Sequence, residues 1–196
     1  MTDEATKIFE LITLAGILKR VPRYGWIVSN VPICDVESVA DHSFRVTLIS
    51  MLIAEYSKKN GYDVDVKKTI ELALIHDIAE SKLQDLNYTA IRYIGKDHKI
   101  KTEQKIVSEI FSKFPIEDLD SLWNELVEEK SIESKIVRYS DILDMLFQAL
   151  TYERSGIRKE NLDEFWEDLN ELKNAKMPIV RELAKLLENE RNKLRG

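Results

Sequence analysis

Apolar residues recur along most of the chain at intervals of three and four positions, which places them on one face of an α-helix. The pattern predicts a first helix that begins at Thr2 or Asp3 and ends before Pro22, because a proline disfavours helical geometry at the preceding residue. Residues 22–37 lack the pattern and are predicted to be irregular. Further helices are predicted over about 39–59, 66–79, 98–113, 117–130, 132–153, 161–174 and 178–194.

Capping signals mark the ends of several predicted helices. Ser38 and Asp41 have the spacing of a capping box, in which the Asp41 carboxylate accepts a hydrogen bond from the backbone N–H of Ser38. Asn60 and Gly61 are typical of a helix end, and Pro178 suits a first helical turn. We find no internal repeat and no low-complexity linker. The sequence therefore predicts an all-α fold in a single domain, a helical bundle.

Composition and charge narrow the class of protein. The chain has 196 residues, of which 44% are hydrophobic and 33% charged, and this fits a soluble, helix-rich domain with a sizeable core. The net charge of -6 argues against a nucleic-acid partner, since phosphate backbones attract Lys and Arg clusters. Cys34 is the single cysteine, so we expect a reducing compartment. Without a signal peptide or a membrane-spanning stretch, we expect a cytoplasmic protein with no membrane partner.

Polar residues capable of binding a metal interrupt the apolar helical stretches. His76 and Asp77 stand side by side near the end of one, and His42 follows Asp41 in another. Burying such groups without a partner costs several kcal/mol, and a divalent metal ion suits all of them. Asp141 interrupts the apolar stripe of the 132–153 helix and can supply an oxygen ligand. Ligands drawn from separate packed helices are a common way to build a metal site in a helical core.

Other residues near these have competing interpretations. Glu80 lies one turn after His76 on the same helix face, where a general base or a water-orienting carboxylate belongs. The capping box explains Asp41 without any role in a site. His98 is interpreted as an ordinary core or surface histidine, and Asp144 is expected to face solvent.

Residues 37–46, 73–80 and 137–141 together resemble the HD-domain metal-dependent phosphohydrolases, and among them the 5'-deoxynucleotidase-like subgroup. A histidine, a His-Asp pair and a later aspartate occur in the order of that superfamily, within a motif-bearing core of about residues 11–150. The resemblance implies one HD domain over residues 1–196, with C-terminal helices at 160–196 packing on the core. It implies one divalent metal ion bound by His42, His76, Asp77 and Asp141. Two imidazoles and two carboxylates suit Mn, Co, Fe, Ni or Zn.

The resemblance also implies roles around the metal. Glu80 would position or deprotonate the attacking water, and Asp85 would lie near the substrate and the leaving group. Arg23 matches an arginine that contacts the phosphate, and such a cation is needed because two carboxylates already neutralise the ion. Further candidates for contacts with the substrate, each with an alternative as a packing aromatic or a solvated surface charge, are Tyr24, Arg92 and Lys82.

Three functions are compatible with the sequence. The first is a metal-dependent phosphohydrolase that removes the 5'-phosphate from (deoxy)nucleoside monophosphates by attack of a metal-activated water. The second keeps the metal but acts on a cyclic phosphodiester, (p)ppGpp or a nucleoside triphosphate. The third is a helical regulatory protein without turnover. The resemblance implies a small-molecule nucleotide partner and a homodimer, for which the 132–153 helix and the C-terminal helices are the candidate surfaces.

Overall fold

The computed structural model describes residues 3–113 and 119–195, and its regular structure there is helical. Those residues form no β-strand, only an isolated bridge between Pro22 and Ser38. This confirms the predicted all-α fold. Three 3-10 helices span Gly16–Arg20, Lys159–Asn161 and Asp163–Asp168. The α-helices are α1 (Asp3–Ala15), α2 (Tyr24–Val28), α3 (Val39–Lys59), α4 (Val66–Ile75), α5 (Glu80–Leu83), α6 (Tyr88–Ile94), α7 (Lys96–Phe111), α8 (Leu119–Glu128), α9 (Ile132–Arg154), α10 (Leu169–Lys173) and α11 (Pro178–Arg195).

The predicted caps form as expected. The Ser38 hydroxyl accepts a hydrogen bond from the backbone N–H of Asp41 at 3.2 Å, and the Asp41 carboxylate accepts from the backbone N–H of Ser38 at 2.9 Å. This capping box begins α3, and Asn60 ends it. Pro178 is the first residue of α11. Thr2, and residues 117 and 118 of the predicted 117–130 helix, lie outside the described residues.

The predicted end of one helix is wrong. The 66–79 helix ends at Ile75, because the next four residues form tight turns in which the Ile78 N–H donates to the Ile75 carbonyl and the Glu80 N–H to the Asp77 carbonyl. The 22–37 segment, predicted to be irregular, contains α2, and α5 and α6 lie between the predicted 66–79 and 98–113 helices, where no helix is predicted. The first helical segment ends before Pro22 as predicted, but its last part is a 3-10 helix.

Helix α9 lies at the centre of the fold and packs against α3, α4, α10 and α11. Its inward face buries large apolar side chains, among them Ile136, Leu143 and Leu146. Each such side chain stabilises the fold by about 1.5–3 kcal/mol relative to an exposed one. Because α3, α4 and α9 are mutually packed, polar residues on their facing sides are forced close together.

The outer surfaces are less uniform. Helix α3 carries an exposed apolar stripe of Phe44, Leu48, Leu52 and Tyr56, one residue per turn. None of the described helices has the length and apolar composition needed to cross a bilayer. The homodimer remains a prediction.

Candidate metal centre and substrate cavity

The structure places three of the four predicted metal ligands, His42, His76 and Asp77, in one group that could hold an ion, and Asp141 lies beside His42. The Nε2 atom of His42 on α3 lies 3.3 Å from Nε2 of His76, 3.4 Å from Oδ2 of Asp77 and 3.3 Å from Oδ1 of Asp141. The Nε2 atom of His76 is also 3.3 Å from the same Asp77 oxygen. The turn after α4 presents the His-Asp pair, and α9 presents Asp141. The premature end of α4 is therefore what directs both members of the pair inward.

These donor atoms fit a divalent metal ion. Spacings of 3.3–3.4 Å are close to those between neighbouring ligands around an ion bonded at about 2.1 Å. The Oδ2 atom of Asp77 is buried and has no hydrogen-bond partner among the described residues. A buried oxygen without a hydrogen bond is costly unless a cation compensates it; the Arg23 guanidinium lies 3.7 Å away, and a metal ion would bond to the oxygen directly. Two imidazoles and two carboxylates are a ligand set for a borderline metal.

Both imidazole rings are held by hydrogen bonds at Nδ1, the nitrogen that does not face the other donor atoms. The Nδ1–H of His76 donates to the main-chain carbonyl of Ala73 at 2.7 Å, which leaves Nε2 facing the other donors. The Nδ1 atom of His42 lies 2.6 Å from the Asp144 carboxylate. Rings fixed in this way are typical of metal-ligating histidines, whose second nitrogen donates to a carbonyl or a carboxylate.

Without an ion, the carboxylates draw protons onto the imidazoles. Burial and the Arg23 charge lower the pKa of His42, but the hydrogen bonds with Asp141 and Asp144 outweigh them and raise that pKa to about 10. Burial alone would raise the pKa of Asp77, yet the His76 imidazole and the neighbouring positive charges hold it well below its usual range. The centre therefore stabilises positive charge, which protons supply until a metal ion displaces them.

Glu80 begins α5 beside this centre. Its side chain is 4% exposed, and its Oε2 atom has no hydrogen-bond partner within the described ranges. Burial and the charge of Asp77 raise the pKa of the Glu80 carboxyl well above its usual range, against the opposing charges of Arg23 and Lys99. A buried carboxyl with a raised pKa and a free oxygen has the properties of a general base.

Arg23 and Asp85 form the next layer of the site. The guanidinium Nη1 of Arg23 lies 3.7 Å from Asp77 and 3.6 Å from Asp85. The Asp85 carboxylate also accepts the backbone N–H of Tyr24 at 2.5 Å. The loop after α5 is thus tied to the start of α2, with Arg23 held between two carboxylates.

A cavity opens onto the metal centre. Its volume of about 780 Å³ is within the range of cavities that bind small molecules. The inner wall contains both catalytic candidates, two of the ligand carboxylates and two cations. The outer wall is aromatic and acidic. The wall includes Arg23, Trp26, Asp77, Glu80, Asp85, Lys99, Asp141, Asp163, Glu164, Phe165, Glu167 and Asp168.

Some candidates for substrate contacts lie away from the cavity wall. Arg92 is exposed on α6 and is not among the wall residues, although its neighbour Ile91 is. The Tyr24 side chain is 42% exposed, and only its backbone reaches Asp85. Lys82 pairs with Glu109 at 2.8 Å. His98 is exposed on α7, as its interpretation as an ordinary histidine requires.

Two functional candidates were missed by reasoning from the sequence. The expectation that Asp144 faces solvent is wrong, because the residue is completely buried against His42. The one available signal is the matched spacing of Arg45 after His42 and of Asp144 after Asp141, three residues in each case. Lys99 on α7 lines the cavity near Glu80, and the sequence offers no signal that separates it from Lys82 and Arg92.

Comparisons with known proteins show which family the chain resembles over most of its length. Residues 15–181 match the family model described as HD domain. The human 5'-deoxynucleotidase HDDC2 is 31% identical over 191 residues, which cover 96% of this chain and 88% of the relative. The Dictyostelium discoideum 5'-deoxynucleotidase HDDC2 is 30% identical, over 93% of this chain and 97% of its own. A conserved hypothetical protein from Pyrococcus furiosus, of known structure, superposes with a TM-score of 0.79 at 39% identity, covering 94% of this chain and 99% of that one.

Proposed function

The chain belongs to the HD-domain family, and from this membership and the site geometry we propose that it is a metal-dependent 5'-deoxynucleotidase. The substrate would be a deoxynucleoside 5'-monophosphate, and the products a nucleoside and phosphate. One observation carries the proposal: the carboxylates of Asp77 and Asp141, which lie 3.4 and 3.3 Å from Nε2 of His42, share one cavity wall with the buried Glu80 carboxyl and with Arg23. The names of the human and Dictyostelium relatives support the choice of substrate.

We propose that His42, His76, Asp77 and Asp141 hold one divalent ion, with Mn, Co, Fe, Ni and Zn as candidates. When bound, the ion supplies a Lewis acid for the phosphoryl group and lowers the pKa of water. There is a second group of possible ligands, formed by Glu37, His42 and Asp144. It shares His42 with the proposed metal site. The 2.6 Å separation of His42 Nδ1 from Asp144 is a hydrogen-bond distance and leaves no room for an ion, which supports a single-metal site.

Glu80 is the proposed general base. As the oxygen of the attacking water bonds to phosphorus, the water's proton passes to the Glu80 carboxylate. The 5'-oxygen leaves with the electron pair of its bond to phosphorus and takes up a proton from solvent water, and Glu80 then returns its proton to solvent. Asp85 holds Arg23 and the Tyr24 backbone in place, and we place it beside the leaving group.

Arg23 and Lys99 supply the positive charge that the phosphate dianion requires. Two carboxylates neutralise the ion, so additional cations must bind the substrate. Arg23 is largely buried and lies within 4 Å of two carboxylates, which fixes its guanidinium at the inner wall. Lys99 is held by Glu103 at 2.5 Å on the same wall.

The outer wall favours a monophosphate over a more highly phosphorylated nucleotide. Four exposed acidic residues of the 3-10 helix Asp163–Asp168 line it: Asp163, which pairs with Arg191, and Glu164, Glu167 and Asp168. Their charge would repel a second or third phosphate, while Phe165 offers aromatic surface for a base. This supports the monophosphate over (p)ppGpp or a triphosphate. The intact ligand set supports an enzyme over a regulatory protein without turnover.

We also propose that residues 1–196 form one HD domain. The family model covers residues 15–181, and α11 packs against α9 and α10 rather than standing apart. The cytoplasmic location remains a prediction.

The test is a phosphate-release assay over ribo- and deoxynucleoside monophosphates, with each candidate metal added to the metal-free protein. We expect metal-dependent release, faster from deoxynucleotides. His42→Ala and His76→Ala should abolish it, while His98→Ala, which removes an exposed histidine outside the cavity, should not. Release only from di- or triphosphates, or none with any metal, would contradict the proposal.

A further inference from the structure

A buried carboxylate behind the metal centre is not one of the four proposed ligands. Asp144 on α9 is fully buried, and its Oδ2 atom lies 2.6 Å from Nδ1 of His42. Its Oδ1 atom accepts a hydrogen bond from Nε of Arg45. Arg45 Nη2 also donates to the Asp144 main-chain carbonyl at 3.2 Å and to Gln148 at 3.0 Å. Burying a carboxylate is costly unless it is paired in this way.

We propose that Asp144 is a positioning residue that fixes the ring and the tautomer of His42, and so sets the affinity of the metal site. The inference rests on the proposed function, because it takes His42 as a metal ligand. It adds one residue to the four proposed metal ligands, a residue that supports a ligand without binding the metal or the substrate itself.

The hydrogen-bonding chemistry leads to this role. The Asp144 carboxylate accepts the hydrogen bond, so Nδ1 of His42 carries the donated proton, and Nε2 is the nitrogen that can bind a metal once the metal displaces its proton. That atom is 3.3 Å from Asp141 and 3.4 Å from Asp77. A flipped ring would lose the bond to Asp144 and turn a carbon towards the site. The contact therefore selects the one orientation that can bind a metal.

The two histidines differ in what holds them. A neutral carbonyl, that of Ala73, accepts from His76, whereas a charged carboxylate accepts from His42. Hydrogen bonds to charged groups are the stronger kind, and a carboxylate partner raises the basicity of an imidazole ligand. His42 should be the stronger electron donor of the two, and its contribution should depend on Asp144.

A chain of ion pairs and hydrogen bonds keeps Asp144 in place. Arg45 balances its charge and lies 3.6 Å from Glu37. Glu37 in turn accepts the Nε1–H of Trp26 at 2.9 Å, and Trp26 lines the substrate cavity. The chain joins the back of the metal site to the cavity wall, so the carboxylate is fixed before any metal binds.

The decisive experiment compares Asp144→Asn with a matched control. Glu153→Gln changes another buried carboxylate of α9, one that bonds to Arg191 and lies in neither the metal nor the substrate site. Metal-free proteins are titrated with Mn²⁺ alone by calorimetry. We expect about 10- to 100-fold weaker binding for Asp144→Asn and unchanged binding for Glu153→Gln. Asp144→Asn within twofold of the wild type, or an equal loss in both variants, would overturn the inference.

The wild-type titration separates the inference from the proposed function. If the wild type binds no Mn²⁺ or any other candidate ion, the proposed function fails. If it binds one ion and Asp144→Asn binds equally well, only the role of Asp144 fails.

A second measurement covers the case in which Asp144→Asn does not fold. The chain has three histidines, so the imidazole ¹⁵N–¹H spectrum of the Zn²⁺-loaded wild type is simple to assign. We expect a proton on Nδ1 of His42 that is protected from exchange with water. A His42 ring with its proton on Nε2, or with no proton on Nδ1, would overturn the assignment.

Discussion

Replacing Glu80 by glutamine removes the proposed general base and changes little else. The side chain keeps its size, so the cavity keeps its shape. The four proposed ligand atoms belong to other residues, so the metal should stay bound. The variant loses only the ability to accept a proton from water.

The expected loss follows from what a positioned base contributes. General acid–base catalysis by one side chain is worth about 10²- to 10⁴-fold in rate. This corresponds to about 3–5 kcal/mol of activation free energy, at about 1.4 kcal/mol per factor of ten. The Glu80 carboxyl is buried and has a free oxygen, both of which favour the upper part of that range. We expect kcat to fall by that factor and the metal content to remain at the wild-type value.

The variant should also change stability in a defined direction. Burial and the Asp77 charge raise the pKa of Glu80 in the folded chain, so the folded state holds this proton more tightly than the unfolded state. The stability that the group contributes is present in acid and is lost as pH rises through its folded pKa. Glutamine does not titrate, so metal-free Glu80→Gln should gain in unfolding free energy over the wild type as pH increases from 5 to 8.

The assay is initial-rate phosphate release at saturating metal and substrate, with metal content measured on the same samples. Glu133→Gln is the matched control, because Glu133 is also buried but accepts the backbone N–H of Asp65 away from the cavity. We expect the control to keep its kcat. Near-wild-type turnover in Glu80→Gln, with the metal bound, would refute the role of Glu80.

Three further predictions concern the phosphate contact, the metal site and a buried ion pair outside the site. Arg23→Gln removes a charge-assisted contact with phosphate worth about 1.5–3 kcal/mol, so kcat/KM should fall about ten- to hundredfold, and a change below twofold would contradict that contact. Adding a binding metal to the metal-free protein at about 100 times its Kd should contribute about 2.7 kcal/mol, seen in calorimetry as a rise of about 5–10 °C in Tm, whereas an unchanged Tm would argue against a metal site. Arg191→Met leaves the buried Glu153 unpaired and should lower the unfolding free energy in urea by about 3–5 kcal/mol, and a loss below 1 kcal/mol would show that the pair is dispensable.

The long helices could be predicted because their signals are local. The apolar spacing of α3 and α9, and the capping box at Ser38 and Asp41, depend on neighbouring residues alone. The end of α4 could not be predicted, because Ile78 and Ala79 continue the apolar pattern and are indeed buried. The chain leaves the helix at Ile75 by forming turns, and no glycine or proline marks the place.

The short helices depend on contacts with distant parts of the chain more than on their own sequence. Helices α2, α5 and α6 have 5, 4 and 7 residues, too few to be stable alone. Contacts made elsewhere in the fold hold them, such as the bond from the Tyr24 backbone to Asp85, which is 61 residues away. The local sequence pattern therefore predicts no separate helix in any of these three segments.

In the candidate site, too, some residues can be predicted from local sequence signals and others depend on distant contacts. His42, His76, Asp77 and Asp141 stand out because polar groups in apolar helical stretches need a partner. Asp144 has the same character but lies one turn from a stronger candidate, and its partner His42 is 102 residues away. The sequence pattern shows only that Asp144 is one turn after Asp141. The packing of α3 on α9 is needed to show that Asp144 lies on a buried side of the helix.

Anomalous diffraction from crystals soaked in Mn²⁺ tests the central claim most directly. The account predicts one anomalous peak, bonded to Nε2 of both His42 and His76 and to one carboxylate oxygen each of Asp77 and Asp141. A second soak with a deoxynucleoside monophosphate and Glu80→Gln protein should place the phosphate between that peak and Arg23. No peak at the four atoms, or a peak at Glu37 and Asp144 instead, would contradict the account.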